Sequence, residues 1–355
     1  MNRRALLLGG AAAVVAARGG RRIRIAFLGG GHGHGYGKVA LAKQSPDWEV
    51  VGICEPDPAL MASYERIGVR SLTRAQVLED PSIEVVGVEG WVWDLAASAK
   101  AALEAGKHVH VDKPPAANMA DMRAMLDLAA RHKRLLQVGY MWRYNPAVMR
   151  ALEAGRAGWL GDIFQVRGLI NTTIDAAERK KLARFKGGQM FELAGHIIDP
   201  IVRLMGRPEK VTPYLRHDYR ALDDGLADNT MAVFEWRGAI GTVTTASMAH
   251  QQPSGVGNTA TLPYRTLEFY GTQGAAVVRP IETPGTSAAT VSIDLHSAAG
   301  PYKAGPQTQT FPYSRYVEDW VELAAAVRGE RKLRVTPQED LLVEETLLRA
   351  SGMEA

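Results

Sequence analysis

One joint constrains this chain more than any other. Residues Ile23–Leu28 read IRIAFL, a short apolar run rich in β-branched residues, and are followed at once by GGGHGHGYG (29–37). Glycine at that density stops a strand, and a helical stretch resumes at Lys38–Lys43. Strand, glycine loop and helix in that order open a βαβ unit. The same grammar runs on to about Gly139: EVVGIC, EVVGVEG, HVHV and LLQVG alternate with Ala/Leu-rich stretches such as DLAASAKAALEAG, where Gly106 marks a helix stop. Near-continuous apolar strands separated by helices predict a parallel sheet covered on both faces. A helical bundle would leave the β-branched runs unexplained.

Beyond Arg143 the grammar changes. GDIFQVRGLIN, TMAVFEWRGAIGTVTTASM and TLEFYGTQGAAVV read as strands of a largely antiparallel sheet, the last two turning on glycine-containing hairpins. FELAGHIIDPIVRLMG, YVEDWVELAAAVRG and PQEDLLVEETLLRA read as helices, and the Ser/Thr/Ala/Gly-rich stretch around Thr283–Gly300 as surface loop. The expected architecture is a doubly wound α/β domain over residues 21–140 and an α+β domain over 141–355.

The chain is 355 residues long with a net charge of +4, and no basic stripe with interleaved aromatics stands out, so nucleic acid is not an expected partner. Cys54 is the single cysteine, which excludes an internal disulfide and leaves any zinc site to histidine and carboxylate. The first twenty residues pair Arg3-Arg4 with an apolar run to Ala17. That run is too short to span a bilayer and suits a twin-arginine signal peptide, which predicts a periplasmic protein with no membrane span in the mature chain. The alternative is a frayed basic tail on a cytoplasmic enzyme.

Position relative to the strand ends nominates the site. In G-x-G-x-x-G the glycines give a tight turn and close approach to pyrophosphate at a helix N-terminus. Gly29 and Gly31 fill the first two places; His34 stands in the last, with Gly33 and Gly35 flanking it. Glu55, twenty-four residues after Gly31 at the end of EVVGIC, is placed to bind ribose hydroxyls and to repel a 2′-phosphate, which favours NAD over NADP. The loop histidines His32 and His34 could instead clamp a metal with His108 and His110, but a tetrahedral site is unsupported, and no metal is expected. The expected cofactor contacts are Gly29, Gly31, His32, Gly33, His34, Glu55, Trp91 and Lys113. Lys113, in DKPP after HVHV, points towards the cleft by position. Glu192, His196 and Asp199 fall at i, i+4 and i+7, on one face of a predicted helix, and a histidine held by a carboxylate is a usual general base. Trp91 and Trp93 are either a wall for a ring or core.

These motifs together resemble the Gfo/Idh/MocA oxidoreductases: Gly29-x-Gly31 after the first strand, Asp112-Lys113-Pro114, MWRYNPAVMRALEAGRAGWLGDI, Glu192-x-x-x-His196 and the FYGTQGAAVV hairpin. The resemblance spans nearly all of 22–350. It implies a Rossmann domain plus an open-faced sheet domain, and hydride transfer between a tightly held NAD(P) and a sugar, cyclitol or related polyol. It also implies a dimer or tetramer. Lys113 stands in the family's lysine position; Asp112 replaces its glutamate, and Glu192 its aspartate. The resemblance casts His196 as the base, Lys113 as the stabiliser of the alkoxide, and Glu192 as orienter, with Arg143, Tyr144 and Asp199 towards substrate. GWVWDLAAS (90–98), which begins at the end of the run EVVGVEG, departs from the family's usual segment at that place. A hydrolase that retains NAD would use the same residues; Lys113 and His196 together argue against the third reading, a dinucleotide-binding protein without catalysis.

Overall fold

The computed structural model describes residues 20–172, 174–218, 223–247, 265–282 and 288–353; the leader lies outside the described residues apart from Gly20. The described residues divide into two compact units, one holding 20–140 together with Arg315–Glu344, the other Met141–Ser314 and Glu345 onwards. The return of 315–344 to the first unit corrects the expected 21–140 and 141–355 division.

The first unit carries β1 (Ile23–Leu28), β2 (Trp48–Cys54), β3 (Val85–Val88), β4 (His108–Val111) and β5 (Leu136–Val138) in one parallel sheet of order β2-β1-β3-β4-β5. Helices α1 (Gly35–Gln44), α2 (Pro58–Glu65), α3 (Arg74–Glu79), α4 (Leu95–Glu104) and α5 (Met119–His132) alternate with the strands. Strand order reverses between β1 and β3, the point beyond which open α/β sheets bind ligands. Gly29 is needed there: its φ is +74°, and a Cβ would lie 2.4 Å from the Cα of Gly90, in the loop that follows β3.

The returning segment completes this unit's core. Trp320 packs edge-on against Phe27 and Trp48, with ring centroids 6.0 and 5.6 Å apart, and its indole N–H donates to the Lys38 carbonyl at 3.1 Å. A chain-distant tryptophan of this kind leaves no local signal in β1 or β2 that it is missing.

The second unit runs α6 (Pro146–Arg156), β6 (Ile163–Ile170), α7 (Ala176–Leu182), α8 (Gly188–Leu193), α9 (Gly195–Met205), β7 (Lys210–Arg216), β8 (Asn229–Trp236), β9 (Ala239–Ala246), β10 (Arg265–Gly271), β11 (Gly274–Val278), β12 (Ala288–Leu295) and β13 (Gly305–Pro312). After it come α10 (Val317–Val327), wholly in the returning segment, and α11 (Pro337–Ala350). The eight strands form one sheet of order β13-β12-β11-β10-β6-β9-β8-β7, in which β6 and β9 are the parallel neighbours and the other pairs run antiparallel. Both expected hairpins, β8–β9 and β10–β11, are present.

Two expectations fail in this unit. The stretch read as loop contains β12, whose Ala289, Val291, Ile293 and Leu295 face inward while Thr290, Ser292 and Asp294 do not. Its period of two is real, but alanine, serine and threonine blur it. The helix expected to run unbroken through FELAGHIIDPIVRLMG is two helices meeting at Ala194. Glu192 therefore belongs to α8 and His196 with Asp199 to α9. The close seat of α9 on the sheet has a cause in β6: a Cβ at Gly168 would come within 2.2 Å of the Ile197 side chain.

Candidate active site

The glycine loop fits a dinucleotide on this chain's own geometry. No side chain caps the start of α1, and its first turn has no acidic residue to compete with an anion. A Cβ at Gly33 would meet nothing within 4 Å, so the loop is open at that point. Glu55 follows β2 as expected; its Oε2 accepts the Gly30 N–H at 2.6 Å and its Oε1 the Asp57 N–H at 2.9 Å. Each carboxylate oxygen still has a second acceptor position for a ribose hydroxyl. Trp91 lies over Gly31, where a Cβ would be 2.5 Å from the indole, and stacks on Trp93 with centroids 5.6 Å apart. Both tryptophans are half-buried.

His32 and His34 turn towards Asp112. The His34 Nδ1 is 3.1 Å from Asp112 Oδ1, and the His32 Nδ1 is 2.9 Å from Oδ2. Their potential ligand atoms and that of Asp112 all lie within 4.8 Å of one another. A divalent ion would have to share the carboxylate with the Lys38 ammonium, 3.1 Å from Oδ2, and displace the hydrogen bond that His34 makes. The set suits hydrogen bonding better than metal ligation. The four-histidine alternative is not assembled: His108 accepts the Leu135 N–H at 3.0 Å, and His110 faces Lys38.

Beneath the loop lies a network that no sequence motif announced. Lys38, on α1, is fully buried, with Nζ 2.8 Å from His110 Nε2, 3.2 Å from Glu89 Oε1 and 3.1 Å from Asp112. The His110 Nδ1 is 2.8 Å from the Gln137 Oε1. His110 thus donates to glutamine and accepts from lysine, which requires the neutral ring. Burial, followed by the nearby Lys38 charge, pushes its pKa down to about 3. Burial alone would lower Lys38 too, but Asp112, Glu89 and Asp319 outweigh it and raise the ammonium above its ordinary range. The carboxyls divide. Burial pushes Glu89 well above the usual carboxylate range; it would raise Asp112 as well, but His32, Lys38 and His34 hold that group well below. The one signal available in the sequence was placement, since Glu89 and Asp112 each immediately follow a strand.

Lys113 continues from Asp112, is buried, and its backbone N–H donates to Asp112 Oδ1 at 2.7 Å. In the second unit His196 is buried at the start of α9, its ring 5.2 Å from that of Trp142. Glu192 is half-buried on α8. Arg143 and Asp199, nominated for substrate, bind each other: Nε and Nη2 reach one Asp199 oxygen at 2.8 and 2.7 Å, with Arg203 3.5 Å from the other. Both are buried, as is Tyr144. A spacing of fifty-six residues hid that pair from the sequence.

The profile described as "Oxidoreductase family, NAD-binding Rossmann fold" of the Gfo/Idh/MocA group matches residues 23–140, and the Gfo/Idh/MocA C-terminal domain profile matches residues 148–277. The chain belongs to the Gfo/Idh/MocA family. It is an NAD(P)-binding oxidoreductase. Among its Gfo/Idh/MocA relatives, levoglucosan dehydrogenase of Pseudarthrobacter phenanthrenivorans is 28% identical over 286 residues, which cover 71% of this chain and 70% of that one. Inositol 2-dehydrogenase 3 of Saccharopolyspora erythraea is 34% identical over 116 residues, covering 32% and 34% of the two chains. Among solved structures, levoglucosan dehydrogenase in complex with NADH and levoglucosan aligns over 94% of this chain and 97% of its own, with a TM-score of 0.75 at 21% identity. GenD2 from gentamicin A biosynthesis, in complex with NAD, aligns over 94% of both chains with a TM-score of 0.75 at 22% identity. At those identities the structural likeness speaks for the fold. No helix among the described residues is long and apolar enough to cross a membrane.

Proposed function

We propose that this oxidoreductase acts on a secondary hydroxyl of a sugar, cyclitol or related polyol, with NAD preferred to NADP. The observation that carries the reading is Lys113, buried immediately beyond β4 and joined through Asp112 to the glycine loop. Bound on that loop, the dinucleotide supplies a hydride acceptor or donor. The chain's residues handle the oxygen. Lys113 hydrogen-bonds the reacting oxygen and stabilises the charge that develops on it; His196 takes the hydroxyl proton on its ring nitrogen and returns it in the reverse direction. Glu192 orients His196 or grips a neighbouring hydroxyl. Arg143 and Asp199 hold α9 in place. Glu55 accepts from ribose hydroxyls, and its carboxylate disfavours a 2′-phosphate. The names of the relatives, levoglucosan and inositol dehydrogenases, support net oxidation and reduction of a polyol over hydrolysis with a retained cofactor.

Turnover on a polyol panel tests the reading. Lys113→Met and His196→Asn are each expected to lower turnover by at least ~100-fold, the scale of positioned acid–base groups. Dinucleotide affinity, followed by fluorescence titration, should stay near that of the native protein. Near-normal turnover in either variant removes that residue from the mechanism.

The sequence of residues 1–20 supports a further part of the proposal, export of the folded protein with its dinucleotide retained through turnover. Protein expressed with its own leader should be recovered from the periplasm carrying nicotinamide through extensive dialysis. An uncleaved leader in the cytoplasmic fraction, or a site emptied by dialysis, would refute it.

A further inference from the structure

Asp112 joins two segments with separate tasks. Its Oδ1 accepts the Lys113 backbone N–H at 2.7 Å and lies 3.1 Å from His34 Nδ1. Its Oδ2 lies 2.9 Å from His32 Nδ1 and 3.1 Å from Lys38 Nζ. His32 and His34 belong to the loop that receives the dinucleotide; Lys113 is the residue proposed to act on the substrate oxygen. We propose that His34 is a positioning residue, which acts through Asp112 to fix the Lys113 backbone, so that the dinucleotide loop sets where the lysine stands. The inference rests on the reading of Lys113 given above.

The chemistry of the contact supports it. Asp112 is fully buried, and a carboxylate there is retained only where donors meet it. Burial holds the His34 imidazole well below its ordinary pKa, so the ring is neutral and its Nδ1 carries the one proton it can donate. The ring is itself fixed, edge-on to His32 at a centroid distance of 4.7 Å and tilted against Tyr316 at 5.3 Å. His34 also stands immediately before α1, at its N-cap, so a shift of the loop is transmitted to this bond.

Two amides separate this role from a general contribution to folding. Asparagine at 34 places its amide nitrogen where Nδ1 stands and is a favoured residue at a helix start; glutamine places its nitrogen nearer Nε2. With dinucleotide and substrate saturating, the kcat of His34→Gln should fall ~10-fold or more below that of His34→Asn, the scale of a displaced catalytic group. Thermal unfolding and dinucleotide Kd should remain similar in the two. In a Lys113→Met background the same His34→Gln change should alter the residual kcat by less than ~2-fold, because a residue acting through Lys113 is coupled to it. Equal kcat for the two amide variants, or the full loss repeated in the Lys113→Met background, would overturn the inference. Native turnover in Lys113→Met alone would instead overturn the reading of Lys113, and the cycle distinguishes the two failures.

Discussion

The two units bury charge in different ways. In the first, one ammonium, Lys38, is surrounded by Asp112, Glu89 and the His110 ring, with further influence from Asp319. In the second, the Arg179 guanidinium spans both oxygens of Asp224 at 2.5 and 3.0 Å, then reaches Asp228 at 2.7 Å and the Ser247 hydroxyl at 3.0 Å, with His217 at its edge 3.6 Å from Asp228. A planar fork satisfies several acceptors in fixed directions and never gives up its proton, so the second set is suited to holding loops in place. An ammonium is a point charge, and its neighbours in the first set can exchange protons among themselves. That network stands at the strand ends beside Lys113; the other ties α7 to the start of β8 and the end of β9. The contrast separates buried charge used as a framework from buried charge placed next to the lysine proposed to act on substrate.

Breaking each network should expose the difference. Arg179→Met is expected to have the largest effect on folding, a loss of about 3–5 kcal/mol, because it leaves Asp224 and Asp228 without their shared partner. Urea denaturation measures it; a loss near zero would mean the fork contributes little and the contrast is wrong. Lys38→Met should cost less, about 1–3 kcal/mol, because the carboxyls it leaves behind can take up a proton and neutralise. The gap between native and Lys38→Met should shrink from pH 7 to pH 5.5. A gap that stays constant would show that the first network is as rigid in charge as the second.

Smaller effects sharpen the comparison. Glu55→Ser should narrow the NAD-over-NADP preference by about tenfold, roughly 1.4 kcal/mol, read as the ratio of two dissociation constants by calorimetry. It should also weaken NAD itself, since Gly30 and Asp57 lose the carboxylate that accepts from them. Tighter NADP than NAD in the native protein would sink this reading. The smallest effect concerns pH. His110 titrates at about 3 in the fold and His108 at about 4, both lowered mainly by burial from an ordinary 6.5. Between those values and 6.5 the unfolded chain binds protons that the folded one does not. Their contribution is therefore fully present above about pH 6.5 and is lost as pH falls below it. Asp224 is held below its usual range, first by its hydrogen bond from Arg179, so its contribution persists until pH falls below about 3.8. NMR titration should find the His110 ring neutral at pH 5; a charged ring there would contradict the lysine–histidine bond.

Much of the site was legible because it depends on position along a strand. β1, the glycine loop and α1 are set by local pattern; Glu55 and Lys113 follow from the rule that ligands bind beyond the carboxyl ends of parallel strands. The β8–β9 and β10–β11 hairpins were equally local, with apolar alternation on either side of a tight turn. What stayed hidden needed partners far along the chain. Lys38 meets Glu89 and His110 across fifty-one and seventy-two residues, and Trp320 reaches the Lys38 carbonyl across 282. β12 escaped because threonine and serine mark neither face strongly, and its pairing with β11 and β13 decides what its alanines face. The pairing of Arg143 with Asp199 was hidden too, since an isolated charge in a sequence carries no record of its counter-charge. Periodicity and strand-end position are properties of a segment and can be read from it; the state of a buried ionisable group belongs to whatever surrounds it, and only the folded chain supplies that surrounding.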